Sequence, residues 1–330
     1  MKVVLLAGGY ATRLWPITKN RAKPLLPLGR QKIIDFVYEK AKGFGEILIS
    51  TNKRFEEDFR NWAKEKDVKI VAENTRSEEE KLGAVRALAY VTEDIEDDVF
   101  VIAADNVFDF DLEKMVDLFK KSREVVVALY DVGDLEMAKR YGVAEVSGEK
   151  IVNFEEKPPH PKSSLIGVAI YLLPQDTLSD LQEYVESNRK KDNLGDFIAY
   201  LCKKREVLAC TFNGNWYDIG TPDSYLEALK TYMSNYIAKD VEISRASKII
   251  EPVVIESGVK ISGRSIIGPY TYIASNCVIE SCDISESVIF ERNVMSRTKL
   301  LRCLVDDACE IRNIELSSSI IGGHAKIQRG

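Results

Sequence analysis

The sequence predicts an α/β domain, built on a mixed, mostly parallel sheet with helices on both faces, followed by a left-handed parallel β-helix. Two observations carry this. Over the first two-thirds of the 330 residues, short apolar runs alternate with amphipathic segments, the order expected of βαβ units. From residue 249 the texture changes: Ile249, Ile255, Ile261, Ile267, Ile273 and Ile279 recur every six positions, with Gly258, Gly263 and Gly268 between them. A six-residue apolar period is the rhythm of a β-helix whose three short strands per coil each send one side chain into a prism-shaped core.

In chain order, strands are expected near Val3–Ala7, Ile47–Thr51, Val68–Ala72, Val99–Ala103 and Val125–Tyr130. Helices are expected around Ile33–Lys42, Phe55–Glu65, Gly83–Val91 and Leu112–Lys120. Closely spaced runs at Val143–Val146, Ile151–Glu155 and Leu165–Leu172 predict an antiparallel or mixed extension of the sheet. Thr221 before Pro222 reads as an N-cap and first-turn proline of a helix reaching about Tyr236. Residues 1–236 are thus expected as one domain, 237–248 as a linker and 249–330 as the β-helix, whose core resumes after a slip at Val288, Val294 and Leu300. The run SSSIIGG near residue 320 reads as a terminal coil.

Composition narrows the function. A length of 330 residues supports a large core and two domains, and 30% charged with 45% hydrophobic residues describes a globular chain. No apolar stretch approaches the ~20 residues that span a bilayer, and no signal-peptide core is visible, so a cytoplasmic protein without a membrane partner is expected. The six cysteines form no CxxC pair, which leaves zinc and redox frameworks unsupported and makes cysteine a small apolar filler. His160 and His324 are the only histidines, too few for HExxH zinc chemistry and unpromising for a Ser-His-Asp triad. A net charge of −6 argues against nucleic acid as a partner.

Against that acidic balance, residues 1–34 hold no acid and seven cations: Lys2, Arg13, Lys19, Arg21, Lys23, Arg30 and Lys32. Such a one-signed segment suits a small polyanion. Gly8 and Gly9 follow the first apolar run and let backbone amides approach phosphate oxygens. Pro24 and Pro27 stiffen the KPLLPL segment that presents Lys23. The pattern is neither a Walker loop nor GxGxxG, because the glycine after Gly9 is Gly29. In AADN, Asp105 ends the run Val99–Ala103 and places a carboxylate on the sheet edge where the glycine loop emerges. Mg²⁺ is commonly held by one or two carboxylates with substrate phosphates, and Asp218 in NWYDIGT is the best partner for Asp105, although each aspartate taken alone reads more often as a turn or cap residue. In FEEKP, strand alternation sends Glu155 and Glu156 to opposite faces, so one of them is available to a cleft together with Lys157.

Taken in order, LLAGGYATRL, KPLLPL, LGAVRAL, AADN, YGV, FEEKP and WYDIGT resemble the sugar-1-phosphate nucleotidylyltransferases over residues 1 to about 235, and the hexapeptide tail resembles that of the longer, glucose-1-phosphate thymidylyltransferase-like members. The resemblance implies a Rossmann-like nucleotidyltransferase domain, with Leu6, Ala7, Gly8, Gly9, Thr12, Arg13 and Gly83 binding the nucleotide. It implies that Arg13 and Lys23 act on the phosphates, that Asp105 and Asp218 ligate Mg²⁺, and that Gly142, Glu156, Lys157, Val168 and Ala169 hold the sugar phosphate. The implied partners are a nucleoside triphosphate, dTTP or UTP, and a sugar 1-phosphate such as glucose 1-phosphate.

Four departures from the pattern stand out. Ala11 replaces a frequent second loop glycine, which requires a negative φ at that position. LGTAGAL reads LGAVRAL, placing Arg86 on the helix. The glutamine that reads a pyrimidine base has no clear counterpart before Gly83, where NTRSEEEK stands. Val168 and Ala169 occupy positions where Thr-Gly or Ala-Gly is frequent. Two rival functions remain: a non-catalytic nucleotide-sugar-binding subunit, and acyl transfer by the β-helix with His324 as base. An open β-helix end with exposed strand edges further leads to the expectation of a homo-oligomer.

Overall fold

The computed structural model describes residues 1–187 and 192–329. They form two compact units, one of Met1–Tyr10 with Ile34–Trp216 and one of Ala11–Ile33 with Tyr217 onward.

The first unit is a nine-stranded sheet. Its strands are β1 (Lys2–Leu6), β2 (Glu46–Asn52), β3 (Val68–Glu73), β4 (Val99–Ala103), β5 (Val125–Asp131), β6 (Gly142–Ser147), β7 (Lys150–Glu156), β8 (Leu165–Leu173) and β9 (Val207–Phe212). Their order is β3-β2-β1-β4-β8-β5-β9-β7-β6. Strands β1 to β4 are mutually parallel, with Val3 opposite both Ile47 and Phe100. Strand β8 runs antiparallel to β4 and β5, and β7 antiparallel to β6, giving the mixed, Rossmann-like sheet. The parallel strands are apolar at their centres, as in Val3–Leu5, Ile47–Ile49 and Val99–Ile102, because helices cover both faces. On one face Val4, Val99, Val101, Val125 and Val127 share a core with Leu88, Leu181, Phe197 and Leu201. These last residues come from helices Ala84–Val91, Thr177–Ser187 and Leu194–Lys204. The expected elements are all present; β9 and the helices at 177–187 and 194–204 are additions to them.

The second unit is the β-helix, preceded by helix Pro222–Tyr232 and joined by residues 11–33. Thr221 and Ser224 form a reciprocal capping box at that helix's N-terminus, as the sequence suggested. The helix stops at Tyr232, four residues short of the expected end, because Met233 turns extended and Tyr236–Ile237 already pairs with Val254–Ile255. The β-helix consists of three parallel sheets, which begin at Tyr236–Ile237, Glu242–Ile243 and Lys248–Ile249. Residues 237–248, expected as a linker, therefore carry strands of the first coil.

The coil period changes along the chain. Val253 pairs with Thr271 and Lys260 with Val278, eighteen positions apart, but Tyr272 pairs with Val288 and Val278 with Val294, sixteen apart. Each later coil drops two residues and turns its corners through single left-handed residues: Asn276, Ser281, Glu286, Arg292, Arg297 and Arg302 all have φ between 47° and 61°. Such a conformation costs a non-glycine residue about 1–2 kcal/mol. It persists here because each corner amide bonds to the coil below, as Arg292 N donates to Ser275 O at 3.1 Å.

This shortening corrects one sequence reading. The interior positions after Ile279 are Ile284, Ile289, Met295, Leu300, Val305 and Ile311, so Val288 and Val294 both point away from the coil interior, Val288 buried outside that core and Val294 37% exposed. Cys277, Cys282, Cys303 and Cys309 fill the same core; the Cys277 Sγ–H donates to Phe290 O at 3.0 Å, and burial pushes its thiol up to about 12. No helix among the described residues is long and apolar enough to cross a membrane. The observed register predicts that Ile284→Ala costs about 2–5 kcal/mol while Val294→Ser changes stability by less than about 0.5 kcal/mol. Urea unfolding of the two variants checks this, and equal losses would contradict the register.

Candidate functional site

In the first unit, β1 delivers Leu6, Ala7, Gly8 and Gly9 to the carboxyl edge of the sheet, where ligands of open α/β sheets bind. Ala7 N bonds to Ser50 O at 2.8 Å, and the fully buried Asn52 donates its side-chain amide to Gly8 O at 2.9 Å while accepting from Phe55 N. The turn after β1 is thereby fixed from below. At the end of β3 on the same edge, Glu73 is 4% exposed; its Oε1 accepts from Thr75 at 2.8 Å, and Oε2 is buried with no hydrogen-bond partner. Burial raises this carboxyl above its ordinary range, against the opposing effect of Thr75. Gly83 caps helix Ala84–Val91 with φ +86°, and a Cβ there would meet Asp192, so only glycine fits. Asp105 follows β4, half-buried, with Asn106 donating to its Oδ1 at 3.3 Å.

The sugar-phosphate candidates on β6, β7 and β8 gather into one cluster. Glu156 Oε1 lies 3.2 Å from Lys157 Nζ, which also reaches Asn193 Oδ1 at 3.4 Å. Lys157 has φ +49° and its amide bonds to Tyr141 O at 2.9 Å, so the turn of FEEKP aims its ammonium back along the strand end. Glycines make room for the carboxylate: a Cβ on Gly142 would come within 3.0 Å of Glu156 Oε2, and one on Gly195 would overlap it. Glu155 is exposed and Glu156 half-buried, the alternation that the sequence implied. Val168 is buried and apolar, which leaves its backbone as the group a ligand can use, and Ala169 sits at a bulge of β8 with φ +54°.

In the second unit, Thr12 and Arg13 stand exposed on a 3₁₀ turn whose Leu14 is buried. Ala11, expected to keep a negative φ, has φ +50° instead. The turn is stabilised because Ala11 O accepts both Leu14 N at 2.9 Å and Thr18 Oγ1 at 2.8 Å. Arg13 and Asp218 meet at Gly220: a Cβ there would lie 3.0 Å from Arg13 Nη2 and 3.5 Å from Asp218 Oδ2. Lys23 is 8% exposed, held on the 3₁₀ turn Lys23–Leu25. His324, the candidate base for acyl transfer, is a left-handed corner residue at φ +60° whose amide bonds to Asp307 O.

Sequence reasoning passed over Glu73, Asn193 and Gly195. Glu73 had a visible signal, a carboxylate directly after the apolar run Val68–Ala72; Asn193 and Gly195 reach the cluster through tertiary packing alone.

Comparison with known proteins places the chain in a family. The family described as nucleotidyl transferase matches residues 2–235. A bifunctional protein GlmU of Methanococcus maripaludis strain C7 is 30% identical over 78% of this chain and 61% of its own length. The chain thus spans about three-fifths of the GlmU relatives it matches. Mannose-1-phosphate guanylyltransferase 1 of Arabidopsis thaliana is 27% identical over 99% of this chain and 87% of its own. A Bacillus anthracis structure described as a glucose-1-phosphate thymidylyltransferase, solved with a sucrose, superposes with TM-score 0.64 at 32% identity, covering 72% of this chain and 98% of that one.

The half-buried Glu156 makes stability depend on pH. Desolvation raises its pKa above the ordinary value near 4.5, and Lys157 only partly offsets this. Above that pH the native state retains a proton that the unfolded chain has lost, so stability falls as pH rises through the interval up to the native pKa. Glu156→Gln removes the ionisation and should gain stability relative to the parent as pH rises above the ordinary value near 4.5. Parallel urea-midpoint curves for the two proteins across that range would contradict it.

Proposed function

The chain belongs to the nucleotidyl transferase family, and on that premise we propose that it moves a nucleotidyl group from a nucleoside triphosphate to a sugar 1-phosphate, releasing pyrophosphate. The observation that carries this reading is a double provision for phosphate. One part is the acid-free opening segment with Gly8, Gly9, Arg13 and Lys23; the other is the Gly142, Glu156, Lys157 and Asn193 cluster. Lys157 supplies a cation for the sugar's phosphate, and the Glu156 carboxylate supplies an acceptor for sugar hydroxyls.

In the reaction, an oxygen of the sugar 1-phosphate attacks the α-phosphorus, a new P–O bond forms, and the bond to the β-phosphate oxygen breaks. That nucleophile is already ionised and needs no base, in keeping with the scarcity of histidine. Catalysis then consists of alignment and charge neutralisation, with Arg13 and Lys23 offsetting charge on the triphosphate. Asp105 and Asp218, both half-buried carboxylates, suit the oxygen preference of Mg²⁺ and would hold it with phosphate oxygens. The bound ion would neutralise charge on the phosphates.

For the finer specificity, the resemblance favours dTTP or UTP with glucose 1-phosphate. Glu73 favours a second reading, GTP. An ionised carboxylate only accepts hydrogen bonds, and guanine offers two adjacent donors, N1–H and N2–H₂, whereas uracil and thymine offer one donor between two acceptors. Pyrophosphate release across a panel of triphosphates and sugar 1-phosphates tests both. Turnover with at least one pair is expected, and none at all would reject the function. If Glu73 reads guanine, the parent prefers GTP and Glu73→Gln shifts preference toward UTP or dTTP by about tenfold or more; a parent that prefers UTP or dTTP would leave the pyrimidine reading, and an unchanged ranking in the variant would remove Glu73 from base choice.

A further inference from the structure

Residues 11–33 carry Arg13 and Lys23 but have little structure of their own: three 3₁₀ turns and a hairpin of two-residue strands, Pro27–Leu28 with Gln31–Lys32. Six cations and no acid lie in this stretch, so its like charges repel. Elements this short do not hold a defined shape unaided. Something outside the segment must fix where its two functional cations stand.

Arg21 makes the strongest of the available attachments. Its Nη1 donates to Asp306 Oδ1 at 2.5 Å and its Nη2 to Asp307 Oδ2 at 2.7 Å, while the guanidinium lies 4.2 Å from the centroid of the Phe290 ring. The pairs are partly shielded from solvent, with Arg21 23% and Asp306 13% exposed, where charge-assisted bonds are least weakened by water. The carboxylates are also held by bonds that do not involve Arg21. Asp306 Oδ1 accepts Asp307 N, Asp307 Oδ1 accepts Glu291 N, and the fully buried Asn293 bridges Asp306 O and Cys309 N. Residues 290–309 of the β-helix thus form a rigid anionic seat for one residue of the cationic segment. Arg21 stands two residues before Lys23, with the backbone between them turning directly into Lys23–Leu25. Secondary attachments follow on its C-terminal side, where Tyr225 Oη donates to Pro27 O at 2.6 Å and Arg30 stacks on Tyr236.

We propose that Arg21, seated on Asp306, Asp307 and Phe290, is a positioning residue for nucleotidyl transfer: it ties the loop of Arg13 and Lys23 to the β-helix, making that domain part of the catalytic apparatus. The proposal rests on the function proposed above. Arg21 touches no substrate in this role and acts through Arg13 and Lys23, whose misplacement by about 1 Å is worth about a hundredfold in rate.

The test combines kinetics with amide hydrogen exchange on the full chain. Arg21→Ala is expected to lower kcat about tenfold or more. Amides of residues 11–33 should exchange faster, while those of 253–289 stay unchanged. Asp306→Asn with Asp307→Asn should give the same loss, and adding Arg21→Ala to that pair should cost nothing more. Arg21→Lys should recover part of kcat by restoring the charge without the two-pronged geometry. Unchanged kcat and exchange in Arg21→Ala would overturn the proposal, as would independent, multiplying losses or faster exchange throughout 253–289. If the parent turns over no substrate pair, the function fails, and the exchange comparison alone decides whether Arg21 fixes the loop.

Discussion

A cationic segment with no sheet or long helix of its own must borrow its shape, and this constraint organises the second unit. Ala11–Ile33 is grouped with the β-helix and helix Pro222–Tyr232. Its attachments fall on rigid features: the Asp306–Asp307 seat, the Tyr225 hydroxyl and the Tyr236 ring. A β-helix suits the purpose because every coil is hydrogen-bonded to the next and the core is a continuous stack of aliphatic and cysteine side chains. The low mobility of such a stack passes to whatever is bonded to it.

The first unit meets the same requirement differently. Its candidate residues sit at ends of strands already fixed by a core shared with three helices, so short turns suffice to present them. Asn52 under Gly8, and Gly195 against Glu156, are packing solutions of this kind. They hold polar groups in place by leaving them little room to move. Burial has an electrostatic cost for Glu73 and Glu156, whose carboxyls both titrate above the ordinary range. A ligand donor or cation at either position would recover part of that cost.

Much of this architecture was legible in the sequence because it follows from periodicity. The apolar runs of the sheet and the isoleucines from 249 to 279 are direct consequences of which faces are buried. The later coils were misread for a physical reason: dropping from eighteen to sixteen residues per coil moves the interior position by five, five and six residues, and a strict step of six keeps phase only by chance. Leu300 happened to fall inside, whereas Val288 and Val294 lie on the opposite face from their interior neighbours Ile289 and Met295. Apart from Asn276 and Asn313, the left-handed corners were illegible because residues such as Arg, Glu and Ser, with no intrinsic preference for positive φ, occupy them; the ladder below imposes it. Ala11 is another such case, held left-handed by two hydrogen bonds to its carbonyl. At the site, the local motifs named Gly142, Glu156 and Lys157, whereas Asn193 and Gly195 arrive from a distant helix start that no local pattern announces.

The proposed transfer is a single in-line displacement at phosphorus, in which the attacking oxygen would arrive ionised and the protein would supply alignment and charge. The stereochemical course tests it most directly, using a nucleoside triphosphate made chiral at the α-phosphorus by sulfur substitution. Inversion of configuration is expected in the nucleotide sugar formed. Net retention would require a covalent nucleotidyl-protein intermediate and two displacements, and would contradict the account.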